Sequence, residues 1–172
     1  MNNTVSDIMN RRSIRKYKPE QISREELDTV LQAGICAPTG MNRQSPLVIA
    51  VQNKEVRDRL SRMNAAVLGT DSDPFYGAPT AVVVLADSES SNWLQDGSLV
   101  MGNLMTAAAA IGVGSCWINR CKEYFDMPAG KEQLRKWGLP EKYRGVGICV
   151  LGYADGPAPK AKPRKEGYIL RP

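Results

Sequence analysis

The chain has 172 residues, of which 42% are hydrophobic and 24% are charged. This length and balance are typical of one globular domain over residues 1–172 with a substantial core, and they exclude a chain that is disordered throughout. The formal charge of +5 permits an anionic ligand or a nucleic acid as partner but requires neither.

Histidine is missing from the sequence altogether. Ser-His-Asp catalysis, Cys-His catalysis and histidine-ligated metals are therefore excluded within this chain. No other pattern predicts a metal site. If the protein is an enzyme, a bound group or another kind of residue must carry the chemistry.

The sequence predicts a cytoplasmic protein with reduced thiols. No apolar run approaches the roughly 20 residues that a transmembrane helix needs, and residues 1–12 lack the apolar centre of a signal peptide. The cysteines stand in apolar segments without a CxxC pair, which favours core thiols over disulfides or zinc ligands; they are Cys36, Cys116, Cys121 and Cys149.

A short first helix is predicted to begin at Thr4, which can cap it together with Asp7. Its apolar face ends near Arg12 and consists of Val5, Ile8 and Met9. The segment RRSIRKY at 11–17 then brings three guanidiniums, an ammonium and a hydroxyl together. Arginine binds phosphate bidentately, and serine both donates and accepts hydrogen bonds, so this segment predicts an anionic ligand.

A capping box marks the start of the second helix, with Ser23 and Glu26 in the SxxE pattern. Apolar residues then recur at helical spacing until Ala37-Pro38 stops the helix; they are Leu27, Val30, Leu31 and Ile35. The next segment, APTGMNRQSP at 37–46, has two prolines and a glycine among small polar residues. It is predicted to be a loop with exposed backbone donors that can carry a ligand.

Two buried strands with a helix between them are predicted next. LVIAV at 47–51 and TAVVVLA at 80–86 are the strands, by their continuous β-branched and apolar content. The helix runs from Lys54 to Met63, with Val56, Leu60 and Met63 facing inward. The segment GTDSDPFYGAP at 69–79 is irregular and could border a site.

A long helix from Trp93 to Ile111 is apolar on nearly every side, so we expect it to be buried in the core or against another subunit. Within it, Gly97, Gly102 and Asn103 indicate close backbone approach and a satisfied polar contact. The remaining pattern predicts a turn and third strand at 112–118, short helices around Tyr124 and Leu134, and a fourth strand at 145–153.

The last residues, 157–172, combine prolines with charges and cannot build a core of their own. They are predicted to form an arm that either dangles or lies across another surface. The basic residues of this arm and those of 11–17 could converge on one anion, the alternative being two solvated charged segments. Strands separated by helices favour an α+β or α/β domain with a mixed, helix-covered sheet.

Six of these motifs occur in the same order in the nitroreductase family of FMN-dependent flavoproteins, which the chain resembles over nearly its whole length. They are RRSIRKY, APTGMNRQSP, DPFYGAP, DGSLVMGN, GVGSCW and the terminal KPRK. The resemblance implies an α+β fold with a mixed, mainly antiparallel sheet flanked by helices. It also implies a homodimer in which the C-terminal arm is exchanged with the partner subunit and two FMN sites form at the interface.

The resemblance further implies which residues bind FMN. Those for the phosphate, the ribityl chain and one edge of the ring are Arg11, Arg12, Ser13 and Arg15, with Lys162 and Arg164 as phosphate ligands from the arm. The loop that reaches the flavin from the partner contains Pro38, Thr39, Gly40 and Asn42. The rest of the set comprises Asn64 near the pyrimidine side and Gly114, Ser115, Cys116 and Trp117 along the N5–O4 edge. No protein residue is implied as catalytic, because the flavin carries the chemistry.

The implied activity is that of an FMN-dependent oxidoreductase. NADH or NADPH reduces the flavin by hydride transfer in a ping-pong cycle, and a nitroaromatic, a quinone or a similar small electrophile accepts the electrons. The same scaffold could instead serve dehalogenation, enone reduction or flavin fragmentation.

Two further hypotheses do not depend on the flavin. A thiol-redox interpretation would use Cys116 and Cys121, although their spacing matches no redox motif. A nucleic-acid-binding module would use the basic ends, but Tyr17 is the one aromatic residue interleaved with the first basic cluster. We therefore expect neither a nucleic acid nor a membrane as partner.

Overall fold

A four-stranded β-sheet with helices on both faces organises residues 2–172, which are the residues that the computed structural model describes. The strands are β1 (Pro46–Val51), β2 (Thr80–Asp87), β3 (Gly114–Ile118) and β4 (Tyr143–Gly152). The α-helices are α1 (Asn3–Asn10), α2 (Arg24–Ile35), α3 (Lys54–Leu68), α4 (Trp93–Ala110), α5 (Cys121–Asp126) and α6 (Pro128–Lys136), and a short 3-10 turn covers Gly40–Asn42. Each helix and strand predicted from the sequence is present.

The strand order is β1-β2-β4-β3, and each neighbouring pair is antiparallel. Val51 of β1 lies opposite Ala81 of β2, and Gly114 of β3 lies opposite Gly152 of β4. Parallel pairing within residues 2–172 is confined to a bridge between Ser13 and Ser115. The α+β class and the mainly antiparallel sheet are therefore confirmed. Of the parallel pairing that a mixed sheet implies, residues 2–172 show that bridge alone.

Helices cover both faces of the sheet, which explains why β2 and β4 are continuously apolar instead of alternating with polar residues. One face packs against α3, α5 and α6, through buried residues that include Val83, Ile148, Leu60, Phe125 and Leu134. The other packs against α2 and α4, through residues that include Val82, Cys149, Val30 and Leu104. In β1, Val51 is buried while the rest of the strand is half-buried or exposed. The sequence predicted a buried strand there, and its position at the sheet edge is the reason for the difference.

Two helix boundaries differ from the prediction. α1 begins before Thr4, because Asn2 is the cap and its side-chain oxygen accepts a hydrogen bond from Thr4 N at 2.9 Å. α3 continues past Met63 and ends at Gly69, whose φ of 73° lies in the left-handed region that glycine adopts without strain. The capping box of α2 is confirmed in both of its hydrogen bonds.

The contacts of the long helix α4 agree with the sequence at two of three positions. A Cβ at Gly97 would lie 2.5 Å from Val146 Cγ2 of β4, so the close approach requires glycine. Asn103 Nδ2 donates to Ala33 O at 3.1 Å. A Cβ at Gly102, in contrast, would meet no atom of residues 2–172 within 4 Å. That side of α4 is open in the single chain, and large apolar side chains are exposed on α4 and α1, namely Leu94, Leu99, Val5, Ile8 and Met9.

The cysteines follow the prediction except at one position. Cys116, Cys121 and Cys149 are buried core thiols. Cys36 is exposed, because it caps the C-terminus of α2 and points away from the core at the start of the following loop.

Residues 157–172 form an exposed arm without a helix or a strand. The arm leaves the body of the protein just after Asp155, whose backbone N–H donates to Lys16 O at 3.0 Å. Across residues 2–172, none of the helices is both long and apolar enough to cross a membrane.

Candidate functional site

The basic segment 11–17 is extended and lies along the sheet between the start of β3 and the end of β4. Ile14 N donates to Ser115 O at 2.9 Å, and Tyr17 pairs with Ala154 in an antiparallel bridge. Lys18 N donates to Tyr153 O at 2.9 Å. The fold therefore joins the RRSIRKY motif to the GVGSCW motif, which are about a hundred residues apart in the sequence.

The two adjacent arginines of this segment have different environments. Arg12 Nη1 donates to the carbonyls of Met9 and Arg11, both at 2.8 Å, so it caps the last turn of α1. Arg11 Nη1 is buried and has no hydrogen-bond partner within residues 2–172. A buried guanidinium nitrogen without a partner carries a desolvation cost, which an anionic ligand would relieve.

A cavity of about 230 Å³ lies against Arg11. Its wall includes Asn10 and Arg12 on one side and Gly112 and Gly114 on the other. Gly114 is packed tightly, because a Cβ there would lie 3.0 Å from Gly152 O and 3.1 Å from Ile14 Cγ1. Glycine at this position lets the basic segment approach β3 closely, beside the cavity.

A second cavity of about 280 Å³ is lined by Ser13, Arg15 and Lys16 and by the chain at 154–159. The Arg15 guanidinium lies over the ring of Tyr76, 6.0 Å from its centroid. Tyr76 belongs to the DPFYGAP segment, so that segment borders this site. The two cavities are lined by more basic than acidic side chains, since Arg11, Arg12, Arg15 and Lys16 stand against Asp7 and Asp155. We call this surface the basic half-site.

The side chains of the GSCW segment are mostly directed into the two packed layers. Burial raises the pKa of the Cys116 thiol, while Arg15, Ser13 and Arg11 act in the opposite direction. Ser115 Oγ donates to Met105 O at 3.4 Å. Trp117 packs on β4 beside Gly147, and its Nε1 is buried without a partner among the described residues. The backbone of this segment, more than its side chains, is what borders the basic half-site.

The loop at 37–45 forms a separate surface, which we call the loop half-site. A cavity of about 530 Å³ lies there, and its lining includes Pro38, Thr39, Asn42, Ile35 and Val100. Thr39 Oγ1 accepts from Gln44 N at 3.1 Å, which closes the loop on itself. Gly40 begins the short 3-10 turn at its tip.

The two half-sites lie at opposite corners of the sheet. The loop leads into Pro46 at the start of β1, whereas Ser13 pairs with Ser115 at the start of β3, on the other edge and at the other end. These corners are three strand spacings of about 4.8 Å apart across the sheet and six residues of about 3.4 Å apart along it, so they are separated by roughly 25 Å. One chain does not bring its predicted site residues together.

Besides the side chains of Ser115, Cys116 and Trp117, three more predicted site residues lie outside both half-sites. Lys162 and Arg164 are exposed in the arm. Asn64 is 2% exposed, and its Nδ2 donates to Asn119 O at 2.7 Å, so its amide links α3 to the end of β3. The structure gives the Asn64 side chain a role in the core.

Two residues that the sequence did not single out border the half-sites. Tyr76 is 40% exposed and lies beside Arg15. The sequence feature that could have indicated it is a large aromatic residue in an irregular polar segment. Asp96 is buried beneath the loop half-site, where it accepts hydrogen bonds from Gly40 and Ser45. The sequence feature that could have indicated Asp96 is a carboxylate inside an otherwise apolar helix, because a buried carboxylate needs hydrogen-bond donors.

Comparison with known proteins agrees with this architecture. A profile described as the nitroreductase family matches residues 8–70 and 68–153. The chain belongs to the nitroreductase family. The resemblance that its motifs carry is thereby confirmed.

Individual family members match the chain over nearly its whole length. A protein of Archaeoglobus fulgidus, provisionally named an NADH dehydrogenase/NAD(P)H nitroreductase, is 34% identical over 158 residues, which cover 89% of this chain and 86% of that protein. The crystal structure of a nitroreductase with bound FMN from Bacteroides fragilis superposes with a TM-score of 0.91, at 30% identity over 99% of both chains. A nitroreductase with bound FMN from Desulfitobacterium hafniense gives a TM-score of 0.88, at 29% identity over 100% of both chains.

Proposed function

We propose that the protein is an FMN-dependent oxidoreductase that takes electrons from NADH or NADPH and passes them to a small electrophilic acceptor. The observation that carries this proposal is the environment of Arg11. Its Nη1 is buried and has no hydrogen-bond partner among the described residues. It lies beside a cavity where the RRSIRKY and GVGSCW motifs meet. A guanidinium nitrogen in that position suits a phosphate oxygen. Two similar structures contain bound FMN, a ligand with such a phosphate.

The residues present fit FMN in chemical type. Arg11 and Ser13 would bind the phosphate, with Lys162 and Arg164 of a partner's arm as further cations. Arg15 would lie at the ring edge, where a cation stabilises the negative charge of a reduced flavin. When bound, FMN would supply the hydride acceptance and electron transfer, which the side chains do not perform themselves.

The proposed active site is shared between two chains. The half-sites of one chain are too far apart to contact one cofactor, so we assign the basic half-site of one protomer and Pro38, Thr39, Gly40 and Asn42 of its partner to each FMN. The exposed apolar side chains of α1 and α4 and the open position at Gly102 provide a surface for the second chain. The arm, residues 157–172, extends up to about 50 Å, which is long enough to cross to a partner.

Nitroaromatics and quinones are the acceptors that we propose, because relatives are named for NAD(P)H-linked nitro reduction. Dehalogenation, enone reduction and flavin fragmentation would use the same cofactor pocket, and a panel of the corresponding substrates offered to the reduced protein separates them. Nucleic-acid binding is disfavoured by the burial of Tyr17, which is 8% exposed and donates its hydroxyl to Ile14 O at 2.8 Å. A ring held in this way is not free to stack on a base.

The test is the absorbance spectrum of the purified protein. We expect an oxidised-flavin spectrum that bleaches when NADH or NADPH is added without oxygen and recovers when a nitroaromatic or a quinone follows. A protein that is colourless and cannot be reconstituted with FMN would contradict the proposal. Steady-state rates should give the parallel lines of a ping-pong cycle, and intersecting lines would argue against it.

A further inference from the structure

The loop half-site contains an unusual concentration of backbone strain. Met41, Asn42 and Gln44 have φ values of 52°, 53° and 50°, all in the left-handed region although none of them is glycine. Non-glycine residues are strained in this region, and such conformations persist where the surrounding structure holds them. The loop must therefore be held from outside as well as from within.

Asp96 supplies the external hold. This residue is 3% exposed and lies in the first turn of α4. Its Oδ1 accepts from Gly40 N at 3.0 Å, and its Oδ2 accepts from Ser45 Oγ at 3.1 Å. One carboxylate thus binds both ends of the strained segment, and the positive end of the helix macrodipole stabilises the carboxylate itself.

Contacts within the loop set its shape but not its position. Gln44 N donates to Thr39 Oγ1, and Gln44 Nε2 donates to Asn42 Oδ1 at 3.2 Å. Gly40 is pressed against the start of α4, because a Cβ there would collide with Asn92 Nδ2. The contacts between the loop and α4 therefore meet at Gly40 and Asp96.

We propose that Asp96 is a positioning residue of the active site, which holds the strained loop at 39–45 where Thr39, Gly40 and Asn42 can meet the FMN bound by the partner protomer. This inference rests on the proposed function, since it assigns the loop to a flavin site. Asp96 itself is beneath the loop and touches neither cofactor nor substrate.

The informative variants differ in the hydrogen-bond partners that they leave for Gly40 and Ser45. Asp96→Leu has a similar volume but leaves the Gly40 N–H and the Ser45 hydroxyl without an acceptor. Asp96→Asn retains one oxygen for Gly40 N, and its NH₂ can donate to Ser45 Oγ, because a serine hydroxyl also accepts. Asn103→Ala is the matched control, since it removes a hydrogen bond between the same helix and Ala33 without touching the loop.

Three quantities are measured for each variant: the Kd for FMN, the visible circular dichroism of the bound flavin, and the hydrogen exchange of the loop amides in the cofactor-free protein. We expect Asp96→Leu to raise the Kd about tenfold or more and to alter the dichroism, because two hydrogen bonds that place the loop are lost. Asp96→Asn should give a Kd for FMN and a flavin dichroism that are much closer to those of the wild type. Asn103→Ala should lower the unfolding temperature while leaving both near wild type.

The outcomes separate this inference from the proposed function. If the wild-type protein binds no FMN, the proposed function fails, and the exchange data still show whether Asp96 holds the loop. If the wild type binds FMN but Asp96→Leu retains its Kd and dichroism, or loses no more than Asn103→Ala, the inference is overturned while the proposed function stands. Equal exchange of the Gly40 amide in wild type and Asp96→Leu would also overturn it. Should Asp96→Leu not fold, Ser45→Ala removes one of the two partners and must show the same changes to a smaller extent.

Discussion

Ile14 N donates a hydrogen bond to Ser115 O across 2.9 Å, and this bond joins the basic segment to the first residues of β3. Ser13 and Arg15, on either side of Ile14, line the second cavity of the basic half-site, and Arg11 lies against the first. Gly152 O and Ile14 Cγ1 crowd Gly114, so a larger residue at the junction would require these neighbours to move by a few tenths of an ångström. The position of the guanidiniums is therefore tied to the sheet, which gives an anion site a rigid base.

The first prediction concerns the two neighbouring arginines. Arg11→Ala should weaken FMN binding by about tenfold to 100-fold, because a hydrogen bond between charged groups contributes about 1.5–3 kcal/mol. Arg12→Ala should weaken it less and should lower the unfolding temperature more, since Arg12 caps α1 through Met9 O and Arg11 O. Fluorescence titration with FMN and thermal unfolding of the cofactor-free protein measure the two effects. The opposite order of the two affinities would remove Arg11 from the site.

The second prediction concerns the arm. A chain that stops after Gly156 should keep the unfolding temperature of the cofactor-free protein within a few degrees, because every residue of 157–172 is exposed. It should lose most of its affinity for FMN, which is measured by titration, and the proposed dimer should weaken, which is measured by sedimentation. A truncated protein with wild-type FMN affinity would contradict the proposed role of the arm.

A charge variant separates the effect of the arm's length from the effect of its basic residues on FMN binding. Lys162→Ala combined with Arg164→Ala should weaken FMN binding while the proposed dimer persists, since the length of the arm is unchanged. Glu166→Ala, a substitution of an exposed charge in the same segment, is the control and should leave FMN binding near the wild-type value.

The third prediction is a pH dependence of stability at Asp73. Burial raises the pKa of Asp73, but hydrogen bonds from Ser61, Arg57 and the backbone N–H groups of Gly77 and Phe75 outweigh it and hold the pKa below its usual value. A carboxyl group whose pKa is depressed on folding stabilises the protein above its unfolded pKa of about 3.9. That contribution is lost as the pH falls through the lower, folded pKa.

Asp73→Asn should therefore lower the free energy of unfolding by about 1–2 kcal/mol near neutral pH, because the buried Arg57 guanidinium loses a charged partner. The difference from wild type should shrink below about pH 4, as the wild-type carboxyl group becomes protonated. Urea unfolding across this range measures it, with Asp71→Asn, at an exposed position in the same loop, as the control. A difference that stays constant with pH would show that the charge of Asp73 is not its source.

The fourth prediction concerns the thiols. Burial raises the pKa of Cys116, Cys121 and Cys149, that of Cys149 to about 12, so these groups are protonated and shielded near neutral pH. A thiol reagent should react with at most Cys36 in the folded protein and with all four cysteines in denaturant. Rapid reaction of two or more thiols per folded chain would contradict this and would revive the thiol-redox hypothesis.

Local patterns in the sequence were sufficient to predict the helices and strands and to indicate the family. The capping box at Ser23 and Glu26 and the β-branched run of β2 depend on neighbours a few residues away, so a linear pattern contains them. The errors arose where a distant neighbour decides the outcome. β1 is half-exposed because no strand pairs with its outer edge within residues 2–172, and α3 continues five residues past Met63, where its apolar pattern ended.

By itself the sequence determined the order of helices and strands, the lack of any histidine-based chemistry and the presence of two basic segments. Tertiary structure alone decided that Ser13 pairs with Ser115 and that Arg12 finds carbonyl partners while the buried Arg11 Nη1 has none among the described residues. It also decided that the loop half-site lies roughly 25 Å from the basic half-site. The physical reason is that capping, periodicity and charge are properties of short segments. Burial of one guanidinium nitrogen and separation of two loops across a sheet depend on how the strands are ordered, and strand order is set by packing of the whole chain.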